Sequence, residues 1–132
     1  MSVVPRPLIV KVDAAHHRLD TITNWFIDNG FQVVKAASVK EGIKLARRSK
    51  PTLIVAVDNP KAGLDAAHWL EAQHSDTEST LAMTPLLIIA EATRSPRLMV
   101  HELPDRVKVL SKPLTPENLL AAAHHILNAW RF

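Results

Sequence analysis

Five short apolar runs punctuate the chain: Leu8 to Val12 (LIVKV), Phe31 to Val34 (FQVV), Leu53 to Val57 (LIVAV), Leu86 to Ala90 (LLIIA) and Val107 to Leu110 (VKVL). Each has strand length and is flanked by polar residues, Gly or Pro, which predicts five β-strands. The first, third and fourth are almost continuously apolar, as strands covered on both faces must be. The intervening segments carry a helical period instead. Leu19, Ile22 and Phe26 recur at helical spacing before Gly30, a C-cap residue. Ser38 and Glu41 form a capping box, and the helix they open presents Val39, Ile43 and Ala46 on one side and stops before Pro51. The pattern predicts a third helix from Gly63 to about Gln73, with Leu64, Ala67 and Leu70 inward, and a polar loop from His74 to Met83. A weak helix is expected between Pro96 and Leu103. A last one is capped by Thr115, has Pro116 in first position, and turns Leu120, Ala123 and Leu127 inward.

Strands alternating with helices predict a single α/β domain over residues 1–132. The expected architecture is a doubly wound parallel sheet in the order 2-1-3-4-5 with helices on both faces. In such a sheet the functional crevice lies outside the carboxyl ends of the strands. That edge consists of Asp13 to Ala15, Val57 to Asn59, Ala90 to Ala92, and Lys112.

Composition narrows the chemistry. The chain has 132 residues, 47% hydrophobic and 22% charged, which suits one globular domain with its own core. There is no cysteine, so disulfides, thiolate metal sites and cysteine nucleophiles are excluded. The N-terminal apolar run is cut by Lys11 and Asp13, too charged for a leader or membrane span, and a cytoplasmic protein is expected. The net charge of +3 is uneven: Lys35 to Lys50 holds six cations against Glu41, leaving −2 for the remainder. Lys40, Lys44, Arg47 and Arg48 share one helix face, either a solvated surface or a docking face for an acidic partner. Nucleic acid is the weaker option, since no aromatic residue interleaves the cluster. Seven histidines include the adjacent pairs His16-His17 and His124-His125, whose spacing matches no metal motif, so no metal site is predicted from them.

Three stretches, SKPL (Ser111 to Leu114), NGF (Asn29 to Phe31) and PTLIVAVD (Pro51 to Asp58), give the chain a resemblance to bacterial response-regulator receiver domains (CheY-like) over nearly its full length. The resemblance implies the flavodoxin-like form of the fold derived above. It also implies a signalling role in a two-component phosphorelay. In that family an aspartate ending strand three accepts a phosphoryl group. Two acids after strand one help it hold Mg²⁺, and a hydroxyl after strand four and the lysine of KP contact the phosphoryl oxygens. Counting back from Gly30 puts the acid pair at Asp13 and Ala14. Counting forward from Pro51 puts the phosphoacceptor at Val57, one residue before Asp58. The hydroxyl position falls on Ala90, the aromatic that accompanies the switch on Val109, and the lysine on Lys112.

Only Asp13 and Lys112 are retained on this count, which predicts a degenerate receiver: not an enzyme, without a cofactor, and acting by protein–protein contact. Strand alternation turns Asp58 away from the face of Val57 unless a bulge re-aims it. The alternatives are a working receiver phosphorylated on Asp58, with Mg²⁺ held by Asp13 and Asp58, and a basic adaptor binding nucleic acid through helix two. In the degenerate form Lys112 sits by a mostly apolar crevice, with Asp13 or Asp58 as its ion-pair partner. Trp130 and Phe132 pack on their own domain, pair across a homodimer, or begin a linker to a further domain. The sequence leaves all three open.

Overall fold

The computed structural model describes residues 6–14, 20–98 and 103–129. Ala15, His16, His17, Leu19, the segment 99–102 of the expected weak helix, Trp130 and Phe132 lie outside the described residues. The strands are β1 (Leu8–Val12), β2 (Gln32–Ala36), β3 (Leu53–Val57), β4 (Leu86–Ala90) and β5 (Val107–Ser111). They form one parallel sheet in the order β2-β1-β3-β4-β5. The helices are α1 (Thr21–Asp28), α2 (Val39–Ser49), α3 (Ala66–His74), α4 (Ser79–Ala82), α5 (Ser95–Leu98) and α6 (Pro116–Ala129). Among the described residues no helix is long and apolar enough to cross a membrane.

The period of two along each strand divides the core into two layers. Ile9, Leu53, Val55, Val57, Leu87 and Ile89 pack with Phe26 of α1 and with Leu119, Ala123 and Ile126 of α6. Val10, Val12, Ile54, Ala56, Ile88 and Ala90 pack with Ala46 of α2 and with Ala66 and Trp69 of α3. At the centre of the second layer α2 approaches the sheet through Gly42, where an added Cβ would lie 2.7 Å from Trp69 Cζ3 and 2.9 Å from Val12 Cγ2. Alanine improves helix propensity there by about 1 kcal/mol, but overpacking costs about 1–3 kcal/mol. Gly42→Ala is therefore expected to lower the urea midpoint, and a raised midpoint would mean that Trp69 repacks freely.

Several element boundaries differ from the sequence expectation. Strand two starts at Gln32, and Phe31 is buried just before it. The third helix begins at Ala66, not Gly63, because Gly63 takes a left-handed φ of 86° and Asp65 supplies the N-cap, its carboxylate accepting from the Ala67 amide at 2.9 Å. Its buried face is accordingly Ala66, Trp69 and Gln73, with Ala67 exposed. The expected loop from His74 to Met83 contains the short α4. The buried face of α6 is shifted by one, to Leu119, Ala122, Ala123 and Ile126, leaving Leu120 and Leu127 half-buried. The caps hold: Ser38 Oγ accepts from the Glu41 amide, Thr115 Oγ1 from the Asn118 amide, and Gly30 has a φ of 91°.

Candidate functional site

The carboxyl ends of β1, β3, β4 and β5 open into a crevice of about 650 Å³. It is not the mostly apolar groove expected from sequence. Its wall includes the acids Asp13, Asp20, Asp58 and Glu91 and the bases Lys11, Lys61, Arg94 and Lys112. Opposite charges so close together, in a concave and partly dry setting, neutralise one another locally.

Sheet register fixes which strand ends share a face. Val12 pairs with Ala56, Val57 with Ile89, and Ala90 with Ser111. The Asp58 amide continues the ladder by donating to the Ile89 carbonyl at 2.8 Å. β3 therefore runs into Asp58 without a bulge, and Asp58 stands level with Ala14 and Ala90 on the α3 side. Val57 is turned into the layer beneath α1 and α6. Asp58, rather than Val57, therefore shares the α3 face with Ala90.

The Asp58 carboxylate is nevertheless fully engaged. Its side chain is 1% exposed, Oδ1 accepts from the Ala66 amide at 2.9 Å, and Oδ2 accepts from Arg94 Nε at 3.0 Å. Arg94 Nη2 adds a longer bond to Oδ1 at 3.3 Å and reaches Asp65 at 3.4 Å. The hydrogen bond to Asp58 and its negative charge push the Arg94 guanidinium above its ordinary pKa, against the opposing effect of burial. Asp58 is thus held by a planar bidentate fork and a backbone donor together.

A second cluster lies on β1. Lys11 is 1% exposed, and its ammonium sits 2.6 Å from Asp20 Oδ1 and 3.2 Å from Asp13 Oδ2. Asp20 also caps α1 by accepting from the Thr23 amide, and Lys35 Nζ lies 3.5 Å from its other oxygen. Burial alone would raise the Asp20 pKa. Hydrogen bonds from Lys11 and Thr23 outweigh it and hold the carboxyl well below the usual range. Lys112 pairs with neither Asp13 nor Asp58, contrary to expectation. Its ammonium lies 3.3 Å from Glu91 at the open rim, and the Lys112–Pro113 peptide is cis.

The donor set does not suit Mg²⁺. Asp13 and Asp58 line one crevice, and Lys11 and Arg94 already neutralise them. Ala14 and Ala90 contribute no oxygen from their side chains. Among the described residues no three His, Asp or Glu side chains converge as metal ligands. Val109 is half-buried on the edge strand β5, where the family carries an aromatic residue. Of the basic face of α2, Lys40, Lys44 and Arg48 are exposed, while Arg47 is bonded to Asp76 through Nε at 3.1 Å and Nη2 at 2.5 Å. Lys11, Asp20 and Arg94 escaped sequence reasoning. A lysine inside an apolar strand run was the one visible signal.

No family model matches the chain, nor does any curated protein. Solved structures do. The chemotaxis response regulator CheY4 of Vibrio cholerae is 21% identical, with 92% of this chain and 98% of that one covered at a TM-score of 0.72. A sensor protein from Polaromonas sp. JS666 is 17% identical, covering 95% and 98% at a TM-score of 0.79. The receiver domain of Francisella response regulator 1452 is 18% identical, covering 95% and 99% at 0.72. At these identities the likeness establishes the fold: the described residues adopt the receiver-domain architecture.

Proposed function

We propose that this chain is a receiver-fold signalling module that works through protein contact, without phosphoryl transfer. The observation that carries this reading is the Arg94–Asp58 pair. Phosphoryl transfer needs a free carboxylate oxygen and positive charge that follows the phosphoryl group. Here the oxygens already bind a guanidinium and an amide, and the positive charge belongs to the side chain that blocks them. The absence of a hydroxyl at Ala90 and of a second acid at Ala14 removes two further groups that the reaction uses in receiver domains. The module's partners are signalling proteins, and the exposed cations of α2 offer one docking face for an acidic surface.

The register of β3 favours a second reading, a working receiver that accepts phosphate on Asp58. Intact mass after treatment with acetyl phosphate and Mg²⁺ separates the two. The expected result is no added phosphoryl mass. An added mass that disappears in Asp58→Asn would establish the second reading.

A further inference from the structure

The turn that follows β4, from Glu91 to Leu98, is thinly anchored by apolar contact. Its α5 has four residues and few backbone bonds: the amides of Arg94 and Ser95 donate to the Glu91 carbonyl, and those of Arg97 and Leu98 to the Arg94 carbonyl. Leu98 is the one buried apolar side chain of this turn, and Ala92, Thr93, Pro96 and Arg97 are exposed. An open cavity of about 120 Å³ lies between the turn and α3, with Leu70, Ile88 and Leu98 in its wall. One buried leucine offsets little of the entropy lost in ordering the whole turn.

Polar ties hold it instead. Ser95 Oγ donates to the Glu91 carbonyl at 3.1 Å and accepts from Ser111 Oγ on β5. Glu91 pairs with Lys112 at the open rim, where solvent weakens the attraction. The remaining tie is Arg94, which reaches Asp58 Oδ2 at 3.0 Å and Asp65 at 3.4 Å. The Ala66 amide holds Asp58 from the other side, so the guanidinium fastens this turn to the start of α3. A charge-assisted fork on a buried carboxylate is stronger than a hydroxyl pair or an exposed ion pair, so Asp58 carries the largest share.

We propose that the turn Glu91–Leu98 is a strap latched by the Arg94–Asp58 pair, and that releasing the pair lets the strap leave the sheet while the rest of the domain stays folded. What it uncovers is apolar: Ile88 on β4 and Leu70 on α3 wall the cavity beside Leu98. The device rests on the reading that Asp58 carries no phosphoryl group, and it gives such a module a second conformation without that reaction.

Amide hydrogen exchange on the full chain tests the latch. Asp58→Asn keeps an oxygen for the Ala66 amide, removes the charge that Arg94 meets, and alters no residue of the strap. The amides of Ser95, Arg97 and Leu98 are expected to exchange about tenfold faster or more in this variant. Those of Ala82 and Met83, bonded within the equally short α4, should keep their rates. Arg94→Met, which retains the stem without the fork, should reproduce the effect. In the natural sequence, dilute urea should leave the α5 rates unchanged while raising that of Ile126 in α6, the mark of local opening. Unchanged α5 rates in both variants, equal acceleration at α4, or a urea dependence at Ser95 equal to that at Ile126 overturns the proposal. These rates are read without Mg²⁺ or acetyl phosphate, so they decide the latch separately from phosphoryl transfer.

Discussion

Replacing Lys11 by alanine is expected to destabilise the fold by about 3 kcal/mol, the largest single-residue effect outside the apolar core. Breaking a buried ion pair from one side costs about 3–5 kcal/mol, because the remaining charge stays desolvated. Lys11 is buried, whereas Asp13 and Asp20 are partly exposed and Lys35 remains near Asp20, which places the loss at the lower end. Lys11→Met retains the aliphatic stem between the layers and is expected to recover part of the loss. The pH dependence provides a second readout. The folded-state pKa of Asp20 is depressed below the ordinary 3.8, so its contribution is present above that value and is lost as pH falls toward the folded pKa. Stability of the natural sequence should therefore fall steeply below about pH 4, and that slope should be shallower in Lys11→Ala. Denaturant midpoints for both proteins at pH 7 and pH 3 check both statements. A loss below about 1 kcal/mol at pH 7 would mean that water replaces the ammonium at little cost.

Asp58 and Arg94 should prove energetically coupled. Asp58→Ala removes the acceptor of the Ala66 amide and leaves Arg94 only its longer contact to Asp65, for an expected loss of about 2 kcal/mol, moderated because Arg94 is partly exposed to solvent. Arg94→Ala leaves a buried carboxylate holding only its backbone donor and is expected to cost at least as much. The double variant should lose about 1 kcal/mol or more less than the sum of the two. Asp58→Asn keeps an oxygen for the Ala66 amide and should fall between natural and Asp58→Ala. A coupling energy near zero would detach Arg94 from Asp58 and remove the main support for an inert crevice.

The sheet was legible in the sequence because its cause is local. Five apolar runs of strand length, separated by helical periods, leave little choice beyond a doubly wound parallel sheet. Capping residues such as Ser38 and Thr115 are equally local, since each acts on an amide three residues away. The crevice could be located for the same reason: topology alone assigns it to the carboxyl ends of the strands.

What occupies that crevice was decided by tertiary structure. Asp58 and Arg94 lie 36 residues apart, and the ion pair exists because β3 and β4 are neighbours whose following loops converge. No sequence period records that convergence. The position of Asp58 relative to Ala90 depended on ladder register, which no residue count records, and one residue reverses the face. Lys11 looked like an interruption in an apolar strand until α1 brought Asp20 over it. Local chemistry therefore specified the strands, helices and edge, while the pairing of charges at that edge followed from the distances that the packed layers impose.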